Sequence, residues 1–184
     1  MLTRLFLCLL LCCSLPAQAE GSALEVSVKR VTTGDMNVFE VTSTGVVKAA
    51  PEVVWKILTD YERMPEFVPD MQRSRLISRN GNSAVIEQFG EARFLFFKRS
   101  IHLVVNVTEQ PMTAIDIGLV SGDMKVYNCR WEIVPIPETG GSRIVYSGKL
   151  VPKFYVPGML GSNIIRSDIE KMMAAVLERL DRPW

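Results

Sequence analysis

"GMLGSNIIRSDIEKMMAAVLERLDR", residues 158–182, is the stretch that decides the fold. Leu160, Ile164, Ile165, Ile169, Met172, Met173, Val176, Leu177 and Leu180 recur at three- and four-residue spacing. That spacing draws one broad apolar stripe along a helix of about six turns. Arg166, Asp168, Glu170, Lys171, Glu178 and Arg179 fall mostly elsewhere on the wheel, and Ser162 or Ser167 is the expected cap. A helix of this kind needs a large apolar surface to lie on.

The residues before it supply one. From Met71 the sequence alternates in strand fashion: "MQRSRLISR", the turn "NGN", then "SAVIEQFGEARFLFFKR" with an expected bend at Gly90. "SIHLVVNVTEQ" puts Ile101, Leu103, Val105 and Val107 on one face, and "TAIDIGLV" does the same with Ile115, Ile117 and Leu119. "KVYNCRWEIVPI" and "SRIVYSGKLVP" follow around the loop "PETGG". Connections this short make hairpins. Further upstream, "LEVSVKRVTTGDMNVFEVTSTGVVKA" reads as another hairpin around Thr-Gly-Asp. "APEVVWKILTD" then starts a short helix with Pro51 just inside it. In "DYERMPEFVPDM", residues 60–71, Pro65 and Pro69 allow one further helical turn and no more. No strand–helix–strand alternation occurs, so the class is α+β. The expected architecture is a curved antiparallel sheet of about six to eight strands wrapped around the C-terminal helix, with two short helices after the first strands. A sheet curled this tightly leaves a hollow unless large side chains fill it.

The chain has 184 residues, suits one domain, and carries 21 basic and 20 acidic residues interspersed. No Lys/Arg run marks a nucleic-acid footprint, and no nucleic-acid partner is expected. The start, "MLTRLFLCLLLCCSLPAQAE", has a basic residue, a short apolar run and a small-x-small end. It reads as a cleavable signal over residues 1–19, cut after Ala19, with the domain in 20–184 and the protein in the periplasm or secreted. The apolar run is too short to span a bilayer. Of four cysteines only Cys129 remains after that cut, so no internal disulfide holds the fold. Cys129 reads as a small buried hydrophobe.

Several residues carry two readings. Glu87, Glu91 and Arg93 share one strand face: pointing inward they form an acid/base set, pointing outward an ordinary solvated face. Tyr127 and Trp131 either anchor a ligand's polar head or simply pack the core. Met172 and Met173 are adaptable ligand contacts or core filler. In "KFYVPGMLG", Phe154, Tyr155, Val156 and Met159 either cap the core or face Met64, Phe67, Val68 and Met71 across an apolar rim. His102, the only histidine, points away from the apolar face, and without a His/Cys cluster neither a metal nor another cofactor is expected.

This order, with "VVKAAPEVVWKILTDYERMPEFVPDM" and "PMTAIDIGLVSGDMKVYNCRWEIVPIPETGGSRIVYSGKL", resembles the START-like polyketide cyclase/dehydrase family of helix-grip fold. Within it the chain is similar to the coenzyme Q-binding and ribosome-associated toxin branch, over residues 40–181. Asp60, Tyr61, Pro65, Phe67 and Pro69 carry the likeness most specifically, then Gly122, Trp131 and Pro135. The resemblance implies a cavity that takes a hydrophobic small molecule such as a lipid, isoprenoid quinone or polyketide, with residues 60–71 at its mouth. Its expected lining is Trp55, Phe67, Phe94, Phe96, Ile115, Ile117, Tyr127, Trp131, Tyr146, Phe154, Met159, Ile165, Met172 and Met173. Transient membrane contact is a further expectation. The rival readings are a cyclase or dehydratase using Glu87, Glu91 or Tyr127, and an interaction module docking through the apolar rim.

Overall fold

The structure, a computed structural model, describes residues 24–94, 97–156 and 158–182. The expected signal segment and Phe96 lie outside the described residues, as do the side chains of Phe94 and Met159.

The first hairpin is β1 (Glu25–Thr33) and β2 (Met36–Val47), turning through Gly34 at φ +57°, a conformation that favours glycine. Then come α1 (Pro51–Leu58) and one 3-10 stretch, Tyr61–Glu66. Six strands follow: β3 (Met71–Asn80), β4 (Ser83–Phe94), β5 (Phe97–Gln110), β6 (Ala114–Gly122), β7 (Met124–Ile136) and β8 (Gly141–Pro152). The chain ends in α2 (Gly158–Asp181). All eight strands form one antiparallel sheet in the order β1-β2-β8-β7-β6-β5-β4-β3. Hairpins account for every neighbour pair except β2 with β8, which pair from Phe39↔Leu150 to Val47↔Ser142. That pairing makes the first hairpin continuous with the later meander and leaves β1 as one edge.

The alternation read in the strands sets which face is buried. Leu103, Val105 and Val107 of β5 point to the concave side, while Asn106 and Thr108 between them are exposed. The long helix lies in the concavity with Ile169, Met173, Val176, Leu177 and Leu180 buried. Side chains as fully covered as Ile86 and Met173 each stabilise by about 1.5–3 kcal/mol relative to exposure. Gly45 of β2 lies directly under the Leu177 side chain, where a Cβ would collide with it. α1 begins with Pro51 in its first turn, needs no donor there, and buries Val54, Ile57 and Leu58.

Three expectations change. Ser162 and Ser167 lie inside α2, which starts earlier at Gly158, so neither caps it. Leu160 leaves the buried stripe and is 42% exposed. β4 pairs with β5 through Gly90 without interruption, and the extra residue opposite Gly90 lies in β3, between Met71 and Arg73; further irregularities fall between Leu76 and Ser78 of β3 and at Val120 of β6. Gly90 serves clearance instead of a bend: a Cβ there would lie 2.8 Å from the Asp70 carbonyl oxygen.

Candidate functional site

Between the sheet and α2 lies an apolar cavity of about 60 Å³. The sheet contributes inward-facing residues at period two: Ile86 and Gln88 from β4, Ile115 and Ile117 from β6, Tyr127 and Trp131 from β7. Met172 and Val176 close it from the helix. Leu58, Tyr61, Met64, Phe67, Val68 and Met71 close it from the segment after α1. The prolines in that segment keep it from continuing as an α-helix, and four large apolar side chains, Met64, Phe67, Val68 and Met71, turn inward within eight residues. Val68, Met71, Gln88, Tyr127 and Met172 also line a wider, more open vestibule of about 220 Å³.

Polar groups occupy two places in this apolar setting. At one, the Tyr146 hydroxyl donates to Cys129 Sγ at 3.1 Å, and Tyr127 shares in the same hydrogen-bonded group. Burial pushes the Cys129 thiol up to about 11 and raises both phenols further, so at neutral pH all three stay protonated. The Trp131 ring leans on Tyr146 at 4.7 Å between centroids. At the other, the Tyr61 hydroxyl donates to Glu109 Oε1 at 2.7 Å and Arg79 Nη1 to Glu109 Oε2 at 2.9 Å. Burial first, and the Glu109 bond second, hold the Tyr61 phenol well above its ordinary value. This triad pins the first turn of the closing segment to the ends of β3 and β5.

The vestibule is rimmed by charge. Arg93 Nε donates to Asp70 Oδ1 at 2.8 Å, Lys98 pairs with Glu91 at 3.3 Å, and Lys171 pairs with Asp168 at 3.6 Å. Partial burial raises the Asp168 carboxyl despite that lysine. Asp70 is therefore held in an ion pair, its side chain only 21% exposed. Glu87 lies on the outer face, bonded to Arg75 at 2.7 Å and to His102 Nε2 at 3.2 Å. The Arg75 hydrogen bond holds its carboxyl below the ordinary range. His102 stacks on Phe89 at 4.5 Å, so it faces outward, but on partners instead of water alone. Of the two readings of the Glu87–Glu91–Arg93 face, this geometry is the outward one for Glu87 and a rim position for the other two.

Seven expected lining residues meet at the cavity: Phe67, Ile115, Ile117, Tyr127, Trp131, Tyr146 and Met172. Met173 is fully buried beside it. Trp55 and Ile165 instead pack against the core from other sides, and Phe154 lies under the Arg99 guanidinium, 4.5 Å from its ring centroid, beside a different groove. Phe94, Phe96 and Met159 lie outside the described side chains. Gln88 and Glu109 are polar residues that the sequence reading passed over, and Tyr61 entered it only through the family likeness. Gln88 and Glu109 were signalled, since each continues a core face at period two, after Ile86 and Val107 respectively. Among the described residues no group of His, Cys, Asp and Glu is placed to hold a metal ion, and no helix is long and apolar enough to cross a membrane.

Residues 47–177 match the family model described as polyketide cyclase / dehydrase and lipid transport. A curated relative, the ribosome association toxin RatA of Rickettsia prowazekii (strain Madrid E), is 22% identical over 92 residues. That match spans 50% of this chain and 63% of the relative's own length. Among solved structures, a START superfamily protein from Mycobacterium smegmatis superposes with a TM-score of 0.67 at 21% identity, covering 77% of this chain and 96% of that one. A STAR-related lipid transfer protein from Xanthomonas axonopodis gives 0.64 at 16% identity, covering 84% and 98%. The Zhui aromatase/cyclase from Streptomyces sp. R1128 gives 0.64 at 12% identity, covering 78% and 91%. At these identities the structural likeness speaks to fold: the helix-grip arrangement of sheet around helix.

Proposed function

This chain belongs to the polyketide cyclase / dehydrase and lipid transport family, and from that premise we propose that it binds one hydrophobic small molecule between its sheet and α2. The observation that carries the reading is the apolar cavity, separated from an open vestibule only by shared side chains. Small-molecule sites run to about 300–1,000 Å³, so about 60 Å³ describes a closed site that a ligand must widen. The closing segment is built to allow that. Its first turn is fixed by the Tyr61–Glu109–Arg79 triad, whereas its far end is tied to β4 through Asp70, which bonds Arg93 and the Glu91 N–H at 2.9 Å, and through the pairing of Met71 with Gly90. Swinging residues 64–71 outward about Tyr61 would merge cavity and vestibule.

Binding would then be driven by burial of apolar ligand surface, about 25 cal/mol per Å². Tyr127 and Gln88, which line both spaces, are placed to meet a polar head at their junction. The expected signal segment makes the periplasm or the exterior the proposed location. A cyclase or dehydratase reading rests on one feature, the protonated Tyr127 phenol, which would act as a hydrogen-bond donor to a carbonyl and not as a base.

A polyene fatty acid whose fluorescence rises on leaving water tests the binding reading. It is expected to titrate to saturation at one site, and Ile115→Trp, which fills the cavity, is expected to weaken it at least tenfold. Absence of saturable binding, or equal binding by the filled variant, would overturn the reading.

A further inference from the structure

The strand register brings the β1–β2 turn, the β6–β7 turn, the β8–α2 segment and the vestibule to one end of the molecule. Phe39 pairs with Leu150, Met124 with Pro152, Leu103 with Gly122, and Ile101 with Gly90. At this end stands Tyr155, 85% exposed and the most exposed of the large hydrophobic residues described. Leu160, Met36 and Val31 near it are also exposed. A groove of about 190 Å³ runs between the first hairpin and residues 151–156, with Arg30 and Lys125 beside Phe154 and Tyr155. Among the described residues Arg30, Lys125 and Lys153 take part in no ion pair, while Asp35 is the one acid in the groove lining.

The Tyr155 ring packs on no core, and these three cations pair with no carboxylate among the described residues. The chemistry of this end matches that of another surface. Tyrosine settles at the headgroup level of a bilayer, and lysine or arginine within a Debye length of anionic lipids is attracted to them. A protein partner is matched less well, since the exposed apolar side chains come singly from β1, β2, the β8–α2 segment and α2.

We propose that this end docks on a bilayer containing anionic phospholipids, Tyr155 seated among the headgroups and Arg30, Lys125 and Lys153 facing the phosphates. The vestibule opens at the same end, so an apolar molecule would pass between bilayer and cavity without crossing water. That purpose rests on the proposed function; the docking does not.

Co-sedimentation with phosphatidylcholine vesicles, with and without phosphatidylglycerol, tests it on the full chain. Residues 1–23 are common to parent and variants, so their contribution cancels in the comparison. Binding is expected to require phosphatidylglycerol and to fall as salt rises. Lys125→Gln and Lys153→Gln are each expected to weaken it about fivefold, and Tyr155→Ser to weaken it similarly. Tyr155→Trp is expected to keep binding, with added emission that shifts to the blue on vesicles. Phe67→Ala, in the cavity lining, is expected to lose the polyene probe and keep the vesicles, which separates failure of docking from failure of the ligand site. No binding to either vesicle, equal binding to both, or variants at residues 125, 153 and 155 that bind like the parent would each overturn the proposal.

Discussion

Gly90 and Asp70 approach more closely than any side chain at position 90 would allow. Gly90→Ala must push the Asp70 carbonyl away, and is expected to cost about 1–3 kcal/mol in urea unfolding. Its inward neighbours have similar leverage. Tyr61→Phe removes the hydrogen bond to a buried carboxylate, an expected loss of about 1.5–3 kcal/mol by the same measurement. Asp168 responds to pH. Burial lifts its carboxyl above the ordinary 3.8, so the folded chain holds this proton more tightly than the unfolded one. The group's contribution is complete below that ordinary value and is lost as pH rises through the folded one. Asp168→Asn is therefore expected to melt above the parent at pH 7, with the advantage shrinking as pH falls through the raised folded value and gone once pH is below the ordinary carboxyl value. Equal melting-temperature differences at both ends of that range would contradict the assignment. None of these effects was legible in sequence: Gly90 announced an irregularity, but only the folded path of residues 68–71 shows that its cause is clearance.

At the scale of elements, the stretch 60–71 was readable because its composition conflicts with helix and strand alike. Two prolines forbid both, and four large apolar residues forbid a solvated loop. What composition could not show is which end is fixed. The hinge at Tyr61 depends on Glu109, distant in sequence and joined to it only by folding. Hydrogen exchange measured with and without a bound fatty acid reads this directly. Ligand is expected to change exchange most over residues 64–71, with the amide of Tyr61 least altered within the segment. Uniform protection across α1 and the whole segment would describe a rigid cap, not a hinged one. The strands were legible by alternation, which also placed Ile115, Ile117, Tyr127 and Trp131 on the cavity side. Trp55 and Phe154 fall away from the cavity lining, since a large apolar residue signals burial without saying against what.

For the whole molecule, the long amphipathic helix and the hairpin-rich sheet have few ways to cover each other, and the wrapped arrangement follows from that scarcity. The pairing of β2 with β8 was the long-range step that local pattern leaves open. It decides that the first hairpin, the vestibule and Tyr155 share an end. The central claim is that the hollow so formed receives a hydrophobic molecule. Native mass spectrometry of the protein purified from its own host, followed by organic extraction, tests this most directly. A stoichiometric mass increment that extraction releases as an apolar compound is expected, with a lower occupancy in Ile115→Trp. A parent protein that carries only its polypeptide mass, and stays so after incubation with host lipid extract, would contradict it.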